Sequence, residues 1–343
     1  MNFQKMDFMV GIVVIGRNEG ERLRICLNSV LKSGANVVYV DSGSDDDSVA
    51  VAESLGAQVV ELDPSIPFSA ARARNDGVKA LNASGIEFEY VQFVDGDCEV
   101  NDQWIESARL FLEKQPDIAV VSGRLRERYP EKSVYNLLCD TEWQSPTGEA
   151  TSCGGLAMMR VEVFNALDGY RNDLTAGEEP ELCMRIRQKG FKIWRIENEM
   201  ALHDSAMFHF SQWWNRNRRT GYGSMELAMR FSHPDFKRIT RRIMFWAVWA
   251  LMVFAFSIVS MIGDENILNI ALYSLVALWP INLLRIAYKT WRSGKSITFS
   301  CTYAWYMAIG IWPQLLGSVS YVYDRLRQRQ MRLIEHRTQS SKK

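Results

Sequence analysis

The chain has 343 residues, enough for one large domain or two ordinary ones, and its 40 basic and 40 acidic side chains cancel to a formal net charge of zero. That zero conceals a split: residues 1–210 carry 21 Lys and Arg against 34 Asp and Glu, whereas residues 211–343 carry 19 against 6. Such asymmetry points the basic part to a nucleic-acid or membrane surface, and the six scattered cysteines, with no CxxC pair and no His at finger spacing, exclude a zinc-finger framework and fit reduced thiols in a cytosolic domain.

The N-terminus, MNFQKMDFMVGIVVIG, has an acidic residue beside its apolar run and no cleavage pattern, so no signal peptide is read. FMVGIVVIG (8–16) is a β-branched run and predicts a buried strand. The following RNEGERLRICLNSVLKSG spaces Leu23, Cys26, Leu27, Val30 and Leu31 as a helix and stops at Gly34. ANVVYV is a second strand, DSGSDDDS a polar loop, VAVAESLG a helix and AQVVEL a strand. AARARNDGVKALNASG predicts another helix and FEYVQFV another strand. Strands alternating with helices to about residue 94 predict an α/β fold with a parallel, right-handed, doubly wound sheet. Ligands of such sheets bind beyond the carboxyl ends of the strands. Both DSGSDDDS and DGDCE occupy such ends, so they are expected to line one crevice.

From about 100 to 210 the pattern loosens. QWIESARLFLEKQP is an amphipathic helix, TSCGGLAMMRVEVFNALDGY a small-residue turn followed by a helix, and EEPELCMRIRQKG a helix opened by carboxylates and closed at Lys189-Gly190. The composition then changes. IMFWAVWALMVFAFSIVSMI (243–262) carries no charge over the length that spans a bilayer core. Residues 267–284 form a second candidate and residues 299–323 a third, broken near Gly310–Pro313. KRITRR precedes the first span, GDEN links the first two, and RIAYKTWRSGK follows the second. That charge bias predicts an inner-membrane, multi-pass protein whose N-terminal domain faces the cytoplasm. A third crossing would place DRLRQRQMRLIEHR outside, against the same rule, so re-entry or an interfacial position stays open. Residues 207–242 hold 8 basic against 2 acidic side chains interleaved with Trp213, Trp214 and Phe231. Beside a span, this reads as an interfacial element on anionic lipid and not as a nucleic-acid site. The expected organisation is an α/β domain over 1–206, the interfacial region 207–242, membrane helices over 243–323, and a basic tail over 324–343 with low complexity after about 337.

Asp95 and Asp97 in FVDGDCEV pose a physical problem. Two carboxylates either side of Gly96 repel, and each resists losing its water. A solvent-exposed acidic turn would relieve them, and so would a divalent cation. Hard oxygen ligands of this kind would call for Mg²⁺ or Mn²⁺.

In sequence order, VVIGRNEGERLRICLNSVL, VVYVDSGSDDDS, ARARNDGVKAL, QFVDGDCEV and TAGEEPELCMRIRQKG resemble the successive motifs of family 2 glycosyltransferases, inverting enzymes of the GT-A fold. The resemblance covers roughly residues 8–205. It implies that Asn18, Glu19 and Asp41 hold the base and ribose of a nucleotide-sugar, although DSGS replaces the usual DDGS and Ser42 stands where a carboxylate is common. Ser42, Ser44 and Asp45 equally suit helix capping. Arg74, matching the family's ARN, is implied at the diphosphate, with a solvated surface Arg as the alternative; Arg72, two residues away, cannot face the same ligand. Asp95 and Asp97 match the DxD-type motif, Asp97 as the better candidate for direct metal contact and Asp95 on the nucleotide side. His203 sits where some GT-A enzymes carry a third metal ligand. Glu179 aligns with the general base, with Glu178 as its reserve; either also complements the helix dipole. Gly154 and Gly155 resemble the acceptor-side glycine loop, and Trp143 suits a sugar face or a core position equally. Gln212 and Arg216 do not reproduce the QxxRW motif of processive synthases. The resemblance implies metal-dependent, single-sugar transfer from a nucleotide-sugar, UDP most often, to a lipid-linked or glycan acceptor, with envelope or exopolysaccharide assembly as the setting. Two alternatives remain at this point: a polyprenyl-phosphate sugar synthase and an inactive membrane scaffold.

Overall fold

Nine strands make one mixed sheet in the computed structural model of the chain, which describes residues 10–262 and 266–328. Residues 1–9, which belong to the stretch read as leaderless, most of the GDEN link, and the tail after 337 lie outside the described residues.

The expected parallel half is present. β1 (Val10–Gly16), β2 (Asn36–Asp41) and β3 (Gln58–Glu61) pair in parallel, with α1 (Glu21–Leu31) and α2 (Ser48–Ser54) as crossovers. After α3 (Ala70–Ala83) the chain returns and lays β4 (Tyr90–Asp95) against the other side of β1. β1 is apolar on both faces because both are covered. Ile12 and Val14 pack with Leu23, Cys26, Leu27 and Val30 of α1 on one layer. Val13 packs with Ala71, Ala73, Val78 and Leu81 of α3 on the other. The period of two thus sorts one strand's side chains into two cores. The winding direction reverses between β1 and β4, the place where such sheets open a crevice. Asp41 is level with Gly16, and Asp95 with Ile15, so the two expected ligand loops do share one end of the sheet.

The other half is built from β5 (Cys98–Val100), α4 (Trp104–Lys114), β6 (Ile118–Glu127), α5 (Val134–Trp143), β7 (Gly148–Ala150), β8 (Ala157–Arg160), α6 (Val161–Ala166), α7 (Glu178–Gln188) and β9 (Lys192–His203). The sheet order is β3-β2-β1-β4-β8-β6-β9-β5, with β7 also on β9. One expectation is corrected here. AMMR, read as the lead into a helix, is strand β8, antiparallel to both β4 and β6. Ala and Met favour helices, but four residues wedged between two strands gain more from ladder bonds and burial. The helix begins only at Val161.

The chain divides into two compact units, the first ending at Phe208 and the second starting at His209. The second contains α8 (Phe210–Phe231), α9 (Pro234–Ile262), α10 (Asn266–Arg292), α11 (Ile297–Ile309) and α12 (Ile311–Leu326). α9 and α10 are long and apolar enough to cross a membrane. They leave Phe245, Leu251, Phe254, Tyr273, Ile281 and Leu284 exposed, which suits lipid and not water. The third expected segment is two helices joined at Gly310. With 13 and 16 residues, they reach about 20 and 24 Å, short of the ~30 Å hydrocarbon core. Trp213, expected at a lipid interface, is instead buried edge-on against Tyr306 of α11. α8 packs along α12, where Tyr222 meets Tyr321 edge to face, Gln314 Nε2 donates to Asn217 Oδ1, and Ser318 Oγ donates to the Gly221 carbonyl.

Gly317 makes that approach possible: a Cβ there would lie 2.0 Å from the Arg218 carbonyl oxygen, and backbone cannot yield as a side chain can. Gly317→Ala is therefore expected to destabilise the full chain in detergent by ~2 kcal/mol or more through overpacking. Ser318→Ala, which removes only hydroxyl bonds, is expected to cost about 1 kcal/mol. Thermal unfolding followed by tryptophan fluorescence ranks the two; equal midpoints would contradict the close-packed crossing.

Candidate active site

The carboxylates of FVDGDCEV do not share one partner. They diverge. Gly96 turns the chain after β4, its N–H donating to the Ile15 carbonyl at 2.8 Å. Asp95 accepts from Arg74 Nη2 at 3.0 Å. Asp97 turns into the sheet, nearly buried, with Oδ2 2.8 Å from His203 Nε2. The antiparallel pairing of β5 with β9 sets Cys98 opposite His203 and so brings the ring beside Asp97. Trp143, the last residue of α5, stacks flat on His203 with ring centres 4.6 Å apart. Trp143 is half-buried, so of the two readings it is not a core Trp, and one of its faces lies on the imidazole.

Arg74 is the central cation, 4% exposed. Its Nη1 donates to Glu178 Oε1 at 3.0 Å while Nη2 holds Asp95, and its guanidinium lies over the Tyr170 ring. Burial pulls its pKa down, but Asp95, Tyr170 and Glu178 more than offset this and leave it above the ordinary value. The solvated-surface reading of Arg74 is excluded by that burial. Arg72 points elsewhere, to the Asp63 and Ile66 carbonyls.

Glu178 and Glu179, adjacent at the start of α7, separate in the same way. Glu178 belongs to Arg74. Glu179 Oε1 accepts from the Cys153 N–H at 2.6 Å, the Cys183 thiol at 3.0 Å and the Cys153 thiol at 3.2 Å. Burial raises the Cys183 thiol well above its usual pKa. The Cys153 thiol also stands high: its contact with Cys183 lowers it, and burial and Glu179 outweigh that. Gly154, with φ of 83°, lets the chain turn after Cys153. Gly155 then passes against the clamp, where a Cβ would lie 2.9 Å from both Arg74 Nη2 and Asp95 Oδ2.

The β1 and β2 loops are knitted together. Asn18, at φ of 54°, accepts from the Asp45 N–H and donates its own N–H to Ser44 Oγ. Glu19 pairs with Arg22 at 2.9 Å. Asp41, 1% exposed, accepts from the Tyr39 hydroxyl and from the N–H and hydroxyl of Ser44. Ser44 and Asp45 serve this bridge, and neither caps α2, whose N-cap is Asp47. The structure therefore brings Arg74, Asp95, Glu178, Glu179, Gly154 and Gly155 into one chain of contacts, and joins Asp97 to His203 beside it. Asn18, Glu19 and Asp41 stand on the neighbouring strand ends. Sequence reasoning missed Cys153 and Cys183. Their spacing matches no metal or redox motif, although Cys183 lies one helical turn after Glu179, a contact that spacing alone permits.

A doubly wound sheet with acidic loops at its switch point and a carboxylate-opened helix facing a glycine loop defines a glycosyltransferase of the GT-A type. Residues 11–167, most of the first unit, match the family described as Glycosyl transferase family 2. Glycosyltransferase AglE of Haloferax volcanii is 24% identical over 259 residues, 71% of this chain and 81% of that protein. An uncharacterised glycosyltransferase of Rickettsia conorii is 45% identical over 51 residues, 15% of this chain and 18% of that protein. Among solved structures, the mannosyltransferase PcManGT of Pyrobaculum calidifontis, determined with GDP-mannose and Mn²⁺, superposes with a TM-score of 0.63. It is 15% identical, and the match covers 94% of this chain and 89% of that one. It shares the fold.

Removing Arg74 leaves Asp95 and Glu178 facing each other without their cation. Breaking a buried pair costs about 3–5 kcal/mol, less here because Asp95 is partly solvated. Arg74→Ala is expected to lower the full-chain unfolding midpoint by about 5 °C or more, since 1 kcal/mol is worth about 2–4 °C in a unit of this size. Gly155→Ala is expected to fold but to displace the clamp. A midpoint unchanged in Arg74→Ala would contradict its place at the centre of the site.

Proposed function

We propose that this enzyme transfers one sugar, with inversion, from a nucleotide-sugar, a UDP-sugar in the first instance, to an acceptor held in the cytoplasmic membrane, within envelope or exopolysaccharide assembly. The observation that carries the reading is the separation of roles around Arg74. The guanidinium takes Asp95 and Glu178, which leaves Asp97 to a metal and Glu179 to a proton.

Asp97 and His203 offer one carboxylate and one imidazole in contact at 2.8 Å. That mixed oxygen and nitrogen set suits Mn²⁺ better than Mg²⁺, which prefers oxygen alone. A bound divalent ion supplies positive charge to the leaving diphosphate. Trp143 and the β5–β9 pairing hold the imidazole in place. Asn18, Glu19 and the Asp41 bridge shape the wall for base and ribose. Gly155 keeps the floor beside Asp95 free of a side chain. Glu179, one oxygen fixed by Cys153 and Cys183, turns the rest of its carboxylate to general-base work, taking the acceptor hydroxyl's proton as that oxygen attacks.

The acceptor is proposed to be lipid-linked. In the second unit, one face of α9 and part of α10 line an apolar recess of about 530 Å³, including Met244, Phe245, Val248, Trp249 and Leu278. Arg241 and Lys237 line it one and two turns earlier on the same face of α9. Two cations at one end of an apolar recess favour, as a second reading, a polyprenyl phosphate as the acceptor itself. A phosphate nucleophile needs little base catalysis, so that reading leaves Glu179 dispensable. A scaffold without activity would bind no donor.

Titration calorimetry of the full chain with UDP and GDP, with and without Mn²⁺, tests the site, and a hydrolysis panel of nucleotide-sugars, GDP-mannose included, tests the activity. Mn²⁺-dependent binding of a nucleotide and hydrolysis of its sugar are expected. Asp97→Asn is expected to lose roughly 100-fold or more of the hydrolysis, about 2.7 kcal/mol of barrier. Silence across the panel, with Asp97→Asn indistinguishable from the wild type, would overturn the proposal.

A further inference from the structure

The Cys153–Glu179–Cys183 group does more than fix a carboxylate. The two sulfurs lie 3.6 Å apart, and Glu179 Oε1 lies 3.2 Å from Cys153 Sγ and 3.0 Å from Cys183 Sγ. In a tetrahedral zinc site the corresponding edges are about 3.7 Å between two sulfurs and about 3.5 Å from sulfur to oxygen. The triangle is thus preformed to within about half an ångström, and both cysteines are buried. Glu179 is partly exposed, which leaves a fourth position open to water.

We infer that Cys153, Cys183 and Glu179 form a second metal site, selective for a soft divalent cation such as Zn²⁺ or Cd²⁺ and separate from the Asp97–His203 site. Binding replaces the two thiol protons: each S–H bond breaks, two metal–sulfur bonds form, and two protons leave to solvent. Two thiolates and one carboxylate against a dication leave one net negative charge. The Arg74 and Arg195 guanidiniums are both felt electrostatically by this group and offset part of that charge. Ligand softness keeps the two sites apart. Thiolate holds Zn²⁺ and Cd²⁺ far better than Mn²⁺ or Mg²⁺, whereas Asp97 and His203 suit Mn²⁺.

The ion would bind Oε1 of the residue assigned above to proton transfer and so draw charge from the carboxylate oxygen left to take the proton. Resting on that assignment, soft cations are expected to inhibit sugar transfer in a way that excess Mn²⁺ does not relieve and a chelator does. Binding itself stands apart from the catalytic assignment and is tested without activity. The full chain in detergent, loaded with one equivalent of Cd²⁺ in the presence of excess Mn²⁺, is examined by X-ray absorption and by the ultraviolet band of Cd–thiolate bonds. Two sulfur neighbours and a saturable band are expected. Asp97→Asn is expected to keep both. Cys153→Ser and Cys183→Ser are each expected to weaken Cd²⁺ binding by roughly tenfold or more, as loss of a ligand does. Fewer than two sulfurs in the wild type overturns the site whatever the variants do, so a variant that fails to fold does not shield it. A two-sulfur signature that persists in the folded double variant overturns it equally. An active enzyme with no such signature refutes this site and leaves the transferase reading standing.

Discussion

Everything at the candidate site depends on one buried cation. Arg74 sits beneath the crevice, out of water, and holds a carboxylate from β4 with one nitrogen and a carboxylate from α7 with the other. Taking a guanidinium out of water is costly, and the cost is met only when both hydrogen-bonding sides are occupied. Arg74 and Glu178 are 104 residues apart in sequence. Leu182, Cys183 and Ile186 seat the helix on the sheet, and the link to Arg74 ties its first turn to the strand end beside Asp97.

The clamp also resolves the electrostatics of the two acidic pairs. Asp95 with Asp97, and Glu178 with Glu179, are each like charges at close range. In both pairs one member goes to Arg74, and the other turns to a different environment: an imidazole for Asp97, an amide and two thiols for Glu179. The four carboxylates therefore stand in three separate environments. The hardness of the ligands follows the same division, since oxygen and imidazole gather at one point and sulfur at another.

Legibility in the sequence follows the range of the interactions. β1 to β4 and their helices were readable because the signal is local: an apolar run, then an amphipathic repeat, then a polar strand end. Asp95, Asp97, Arg74, Glu178 and Glu179 were readable from a resemblance whose motifs survive in order. AMMR was not, because four apolar residues carry no period, and only the strands on either side decide their conformation. The stack of Trp143 on His203 was not either, since it joins the end of α5 to the end of β9. The thiols of Cys153 and Cys183 meet only after the glycine loop folds over α7. In the second unit, α9 and α10 were plain from length and charge. Trp213 misled, because composition marks an aromatic beside basic residues as interfacial while packing against Tyr306 buries it. The break at Gly310 was visible, but the tight crossing of α8 and α12 was not.

The central claim is that Glu178 and Glu179, neighbours in sequence, have unlike tasks. Single-turnover kinetics of Glu179→Gln and Glu178→Gln, with nucleotide-sugar and a hydroxyl-bearing lipid acceptor, test it most directly. The account predicts that Glu179→Gln binds donor as the wild type does yet transfers sugar roughly 100-fold slower or worse, the size of a lost general base. It predicts that Glu178→Gln chiefly weakens donor binding and lowers stability, through Arg74. Full transfer by Glu179→Gln, with Glu178→Gln carrying the whole chemical defect, would contradict it.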